Sequence, residues 1–316
     1  MSPARPAQPS PLIGVVGPTA SGKTDLALAL ARRLPLEILV ADSRQAYRGM
    51  DVGTAKPDEA ARRAVPHHML DLVDPDEPFT VAQWVERARA LVPEIASRGR
   101  LPALVGGTGL YVSALVDGHD YASQPWSPEI RQRLTDALEA EGLAPLADRL
   151  RALDPATAAR TDLHNPRRVL RALERAEAAG GDAAVRRQPY AGRVALIGLE
   201  RPREVLYRRI GERARWMFTR GGLIAEVEDL LAAGFTPALR PMSGHGYREA
   251  AAYLAGEWSL DQAIEVTARR TRQYAKRQLT WFRRDPRVLW VPAGDGSGDA
   301  AAIVVRADRL LRAALS

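Results

Sequence analysis

Short apolar runs recur along the first third of the chain, and each gives way to a stretch with helical spacing. Leu12–Val16, Leu36–Val40 and Leu101–Val105 are continuous and mostly aliphatic, as strands buried on both faces are. Between them, Asp25–Leu34 and Phe79–Ser97 repeat apolar positions at helical intervals, the second stopping at Arg98-Gly99. Alternation of this kind, running to about Leu115, predicts a parallel sheet with helices on its faces. The pattern then changes. After a turn-rich break, Asp117–Trp126, it becomes purely helical: Ser127 is a good N-cap, Pro128 suits the first helical position, and Gly142 ends the helix. A second helix is predicted over Pro145–Leu153, and a third from His164-Asn165-Pro166 to Gly180-Gly181. Val194–Leu199 returns to the strand pattern, and the remainder reads mostly as helix. The predicted organisation is a loose tail over 1–11, a core over 12–116 and 190–295, a helical insertion over 117–189, and a C-terminal tail or helix over 296–316.

The turn after the first strand carries chemistry. Gly17-Pro18-Thr19-Ala20-Ser21-Gly22-Lys23-Thr24 is an intact phosphate-binding loop placed between a strand and a helix. Such a turn aims backbone N–H groups at one point, and the helix dipole adds positive potential there. Lys23 can reach a terminal phosphate, and the Thr24 hydroxyl can hold a magnesium ion. The fold class this predicts is α/β, with a P-loop NTPase-like parallel sheet core flanked by helices and an all-helical insertion domain. A nucleotide hydrolase would carry a second strand ending in an acid, but Leu101–Val105 ends in Gly106-Gly107-Thr108-Gly109. The acid follows Leu36–Val40 instead, in Ala41-Asp42-Ser43-Arg44-Gln45. Open parallel sheets hold ligands at the carboxyl ends of their strands. Asp42 could serve there as metal ligand, general base or helix N-cap.

Composition narrows the partners. The 316 residues are 46% hydrophobic with a net charge of +7, so an acidic partner is expected. Arginine dominates the excess. Seven lie between Arg201 and Arg220, and eight cations, seven of them arginine, lie between Arg269 and Arg287, interleaved with Tyr274, Trp281 and Phe282. Arginine grips phosphate bidentately and stacks on bases, whereas such aromatics serve as core or as base platforms. With no cysteine and five histidines in no metal-binding spacing, neither disulfides nor a zinc site are expected. No run is long and apolar enough to span a membrane, and the first eleven residues lack the apolar segment of a signal peptide, so a cytoplasmic chain is expected.

Taken in order, these residues resemble the bacterial tRNA dimethylallyltransferases, enzymes that prenylate the adenine 3′ of the anticodon. The resemblance is carried by the Gly17–Thr24 loop and by Asp42-Ser43-Arg44-Gln45-Ala46-Tyr47-Arg48-Gly49-Met50-Asp51-Val52-Gly53-Thr54-Ala55-Lys56-Pro57. It continues through Val65-Pro66-His67-His68, Gly106–Tyr111 and Asn165–Glu174, and closes with Gly246-Tyr247-Arg248-Glu249 and Tyr274–Arg283. The resemblance implies that Gly17, Pro18, Thr19, Ala20, Ser21, Gly22, Lys23 and Thr24 cradle the diphosphate of dimethylallyl diphosphate, with Mg²⁺ at Thr24 and Arg213 neutralising the leaving group. It puts Asp42 on the exocyclic amine of the target adenine, making Asp42, Thr24, Lys23 and Arg213 the catalytic set. Ser43, Arg44 and Gln45 would read the extruded base with Asp42, and Thr108 would stand at the channel mouth. Arg131 and the stretch Pro166, Arg167, Arg168, Val169, Leu170 would grip the tRNA backbone, with Gly246, Tyr247 and Arg248 lining the opposite side. A monomer acting on a tRNA anticodon stem-loop is expected. An AMP-prenylating relative and a P-loop kinase or RNA-binding ATPase are the competing readings.

Overall fold

A computed structural model describes residues 9–118, 127–178, 188–295 and 300–315. Most of the break at 117–126 and the Gly180-Gly181 pair lie outside them. Two compact units result, one of residues 1–116 and 189–316, the other of 117–188.

The larger unit begins β1 (Leu12–Val16), α1 (Lys23–Ala31), β2 (Leu36–Val40), α2 (Glu59–Ala64), β3 (His67–His68), α3 (Val81–Ser97), β4 (Leu101–Gly106) and α4 (Gly109–Val116). In the smaller unit come α5 (Pro128–Glu141), α6 (Leu143–Leu153), α7 (Pro155–Ala158) and α8 (Pro166–Ala178). The larger unit resumes with β5 (Val194–Glu200), α9 (Arg203–Thr219), α10 (Leu223–Ala232), α11 (Tyr247–Leu254), α12 (Leu260–Arg283), β6 (Val288–Pro292) and α13 (Ala300–Leu315). The six strands form one parallel sheet ordered β3-β2-β4-β1-β5-β6. Every residue of β1 and β2 is buried, which is why both are almost wholly aliphatic; the one charge, Glu37 in β2, pairs with Arg98 and His68.

Helix ends follow local chemistry. Thr80 and Gln83 form a capping box on α3, and Ser127 caps α5 through the Ile130 N–H. The expected helix at Asp25–Leu34 starts earlier, at Lys23, because Gly22 takes φ 97° and turns the chain directly into it. Two strands were not expected. The two residues of β3 are too few to show a period, and Val288–Pro292 becomes a strand only by pairing along β5. The C-terminal segment docks as well: Ala307 and Leu311 of α13 are fully buried, and Asp308 receives both Arg33 and Arg312.

The smaller unit packs α5, α6 and α8 around Leu134, Leu146, Leu150, Val169, Leu170 and Leu173. Within it the carboxylate of Glu174 is fully buried and pairs with Arg131 and Arg171.

Candidate active site

The phosphate loop is held in a strained, preformed shape. Gly17 has φ 136° and Gly22 φ 97°, and Ala20 between them sits at φ 63°, a conformation costly for a side-chain-bearing residue. Three groups from distant segments pin the loop. Arg201 Nε donates to Ser21 O at 2.7 Å, Arg209 Nε to Ala20 O at 3.0 Å, and the Thr19 N–H donates to Gln278 Oε1 at 2.8 Å. Arg213, one turn beyond Arg209 on α9, approaches Thr19 Oγ1 at 3.5 Å. Lys23 Nζ donates to Pro18 O at 2.7 Å, and Ser21 Oγ is buried without a hydrogen-bond partner.

Burial of these cations leaves an electrostatic signature. Burial pushes Lys23 down to about 8; the Asp42 charge opposes that and the Arg213 charge adds to it. Arg213 is lowered for the same reason, again opposed by Asp42. Desolvated positive groups around a glycine turn define an anion site.

Across the same cavity lies the end of β2. Because β4 separates β1 from β2, the glycine turn after β4 lies between the phosphate loop and Asp42. A Cβ on Gly106 would stand 2.1 Å from Ala41 O, so only glycine allows the two strand ends to close up. Thr108 joins them: its N–H donates to Ala41 O at 3.1 Å, and its Oγ1 accepts the Ser43 N–H at 3.1 Å. Tyr274 hydrogen-bonds the same threonine, and burial with the nearby Asp42 charge pushes its hydroxyl up to about 12. Asp42 Oδ1 accepts the Arg44 N–H at 2.9 Å, which caps a turn; no helix starts there, so the N-cap reading is withdrawn. Lys23, Thr24, Asp42, Gln45, Arg213 and Tyr274 line one cavity of about 1000 Å³.

The segment after Asp42 is braced from below. Arg44 donates to Arg240 O, and Gln45 Nε2 donates to Thr54 O and Ala55 O at 3.0 and 3.1 Å. The buried Lys56 ammonium reaches Tyr47 O at 2.8 Å and Asp71 at 2.6 Å. Glu226 accepts the N–H groups of Asp51, Val52 and Gly53 at 3.0, 2.6 and 3.3 Å, together with the Tyr247 hydroxyl at 2.5 Å. Glu226→Ala should therefore strand several donors and cost about 3 kcal/mol. Denaturant unfolding would show it as a lower midpoint with an unchanged slope.

Some expected RNA contacts must be corrected. Val169 and Leu170 are 0% and 6% exposed and belong to the helical unit's core, so their side chains are closed to RNA. Helical periodicity explains the error: α8 turns Arg167 and Arg168 outward and the next two residues inward. Tyr247 is 1% exposed and packs on Gly53, so it props the Asp42 loop and does not line a channel wall; Arg248 beside it is exposed. Arg131 spends its guanidinium on Glu174. Gln278, Arg209 and Glu226 had been given no individual role. Only Gln278 carried a signal, lying one helical turn after Tyr274 on α12.

A parallel sheet whose first turn has the sequence and shape of a phosphate-binding loop, facing a carboxylate over a shared cavity, is the architecture of a phosphate-loop group-transfer enzyme. The IPP transferase profile matches residues 45–285, and the Isopentenyl transferase profile matches residues 11–70. The tRNA dimethylallyltransferase of Heliobacterium modesticaldum is 46% identical over 286 residues, covering 88% of this chain and 88% of that protein. The one from Syntrophobacter fumaroxidans is 47% identical over 301 residues, covering 93% and 87%. The full-length tRNA isopentenylpyrophosphate transferase of Bacillus halodurans superposes with a TM-score of 0.73 at 39% identity, covering 97% of each chain. The chain belongs to the IPP transferase family.

Proposed function

We propose that this chain transfers the dimethylallyl group of dimethylallyl diphosphate to N6 of the adenine 3′ of the anticodon in tRNA, releasing diphosphate. The observation that carries the reading is the placement of Asp42 opposite Lys23 and Arg213 in one cavity. An exocyclic amine is a poor nucleophile because its lone pair is delocalised into the ring. Asp42 accepts the N6 proton as N6 bonds to the allylic carbon. The carbon–oxygen bond breaks at the same centre, and the electron pair leaves with the diphosphate. Lys23, Arg213 and the loop N–H groups hold the charge that develops. Burial of the five-carbon tail contributes about 4 kcal/mol of binding, at roughly 0.8 kcal/mol per carbon.

Magnesium fits this donor set. Among the described residues no cluster of three or more acidic or histidine side chains could cage a metal, and Mg²⁺ prefers one or two protein ligands with phosphate oxygens and water. Thr24, which lines the cavity, would hold it. When bound, the ion neutralises part of the diphosphate charge.

The helical unit supplies backbone contacts to the tRNA through the exposed Arg167 and Arg168. Replacing both with alanine should weaken tRNA binding and flatten its salt dependence by about 0.7 per lost phosphate contact. Binding titrations at several salt concentrations would show both effects. No helix among the described residues is long and apolar enough to cross a membrane; we place the enzyme in the cytoplasm with its tRNA and read it as a monomer. The deciding experiment supplies labelled dimethylallyl diphosphate and Mg²⁺ to unmodified tRNA and, in parallel, to AMP. Label on tRNA alone is expected. Label on AMP, or ATP turnover with no label on either, would overturn the reading.

A further inference from the structure

We infer that Gln278 is a positioning residue whose single carboxamide ties the phosphate loop to the glycine turn beside Asp42, setting the separation of the two halves of the cavity. The inference rests on the prenyl-transfer reading above. Gln278 is only 5% exposed, and both ends of its amide are engaged. Oε1 accepts the Thr19 N–H at 2.8 Å, and Nε2 donates to Gly107 O at 2.8 Å. The orientation is dictated by the partners, since an amide N–H can only donate and a carbonyl can only accept. A flipped side chain would set donor against donor and acceptor against acceptor.

Each partner is one step from the chemistry. Thr19 belongs to the phosphate loop, and its hydroxyl faces Arg213. Gly107 precedes Thr108, which holds Ser43 through its side chain and Ala41 through its backbone. Asp42 lies between those two residues, so the amide is joined to the carboxylate through one threonine. The topology makes such a tie useful: the loop follows β1, Asp42 follows β2, and β4 separates them. The fit is close. A Cβ on Gly107 would stand 2.1 Å from Gln278 Nε2, so glycine at that position makes the seat for the amide. Tyr274 on the preceding turn of α12 bonds Thr108, and Trp281 on the following turn packs on Gly109, so one face of the helix follows the whole turn. With both amide groups spent on backbone, Gln278 acts through Thr19 and Thr108.

In-line displacement needs nucleophile, carbon and leaving group aligned, and a misplacement of about 1 Å can cost about 100-fold in rate. Gln278→Met in the full chain keeps the length of the side chain and removes both hydrogen bonds. Single-turnover transfer of labelled dimethylallyl to unmodified tRNA should slow by about 100-fold, while Kd values for inorganic diphosphate and for tRNA stay within about threefold. Gly107→Ala, which drives a methyl group into the amide's seat, should show the same split and serves as the test if Gln278→Met does not fold. Joining Gly107→Ala to Gln278→Ala should slow transfer no further than Gln278→Ala alone, because the clash partner is gone. A rate for Gln278→Met within about threefold of wild type would overturn the inference, as would a loss that follows weaker binding or a lower melting midpoint. A wild-type chain that labels no tRNA would overturn the prenyl-transfer reading and this inference with it.

Discussion

Asp42→Ala is expected to lower single-turnover prenyl transfer by about 1000-fold, in the middle of the range for a positioned general base. Diphosphate affinity should hold or improve, because the substitution removes a negative charge that faces Lys23 and Arg213. Two readouts separate these effects. Isothermal titration with inorganic diphosphate reports the anion site alone, and rapid-quench transfer to tRNA reports the chemical step. Asp42→Asn is the sharper form, since it keeps the shape and the acceptor for the Arg44 N–H while abolishing the base. A variant that transfers at a rate near wild type would remove Asp42 from the mechanism. A variant that fails equally in diphosphate binding would place Asp42 with the metal and the phosphates.

Lys23→Ala should lower kcat/KM for dimethylallyl diphosphate by about 100- to 1000-fold, the usual effect of deleting one preorganised group at a developing anion. The wild-type pH profile carries a second signature. With Lys23 held at about 8, affinity for diphosphate should decline as pH rises through that value, the ammonium being lost from the ligand-free site. Stability should move the other way. Lys23 has an ordinary value of 10.5 when unfolded, so between about 8 and 10.5 the unfolded chain holds the extra proton and this group's contribution to stability rises with pH. Asp42→Asn should move the binding inflection below 8, because the Asp42 charge is what opposes the burial effect. A profile flat from pH 7 to about 9.5 would show that Lys23 stays charged there and that burial does not govern it.

Local patterns in the chain were sufficient for the parallel core, the phosphate loop, the cap at Ser127 and the helical character of the insertion. Each rests on residues within a few positions of one another, where strand period, helix period, turn glycines and capping hydroxyls act. Asp42 was legible for the same reason, as an acid at the end of an apolar run. Strand order was not, nor was β6, since pairing with β5 depends on segments about ninety residues apart. The roles of Gln278, Arg209 and Glu226 were hidden by distance as well. Each bonds a backbone group 170 or more residues away, and apart from the place of Gln278 one turn after Tyr274, nothing nearby distinguishes them from ordinary polar residues on a helix. Tyr247 and Val169 went wrong in the opposite direction: their places among polar, ligand-binding residues suggested contact, and packing turned both side chains inward. The kinds of group available for catalysis are thus a property of sequence, because chemistry belongs to residue types. Which of them face one cavity is decided by the order of the strands and the burial of the helix faces, because those follow from contacts that form only when the chain has closed on itself.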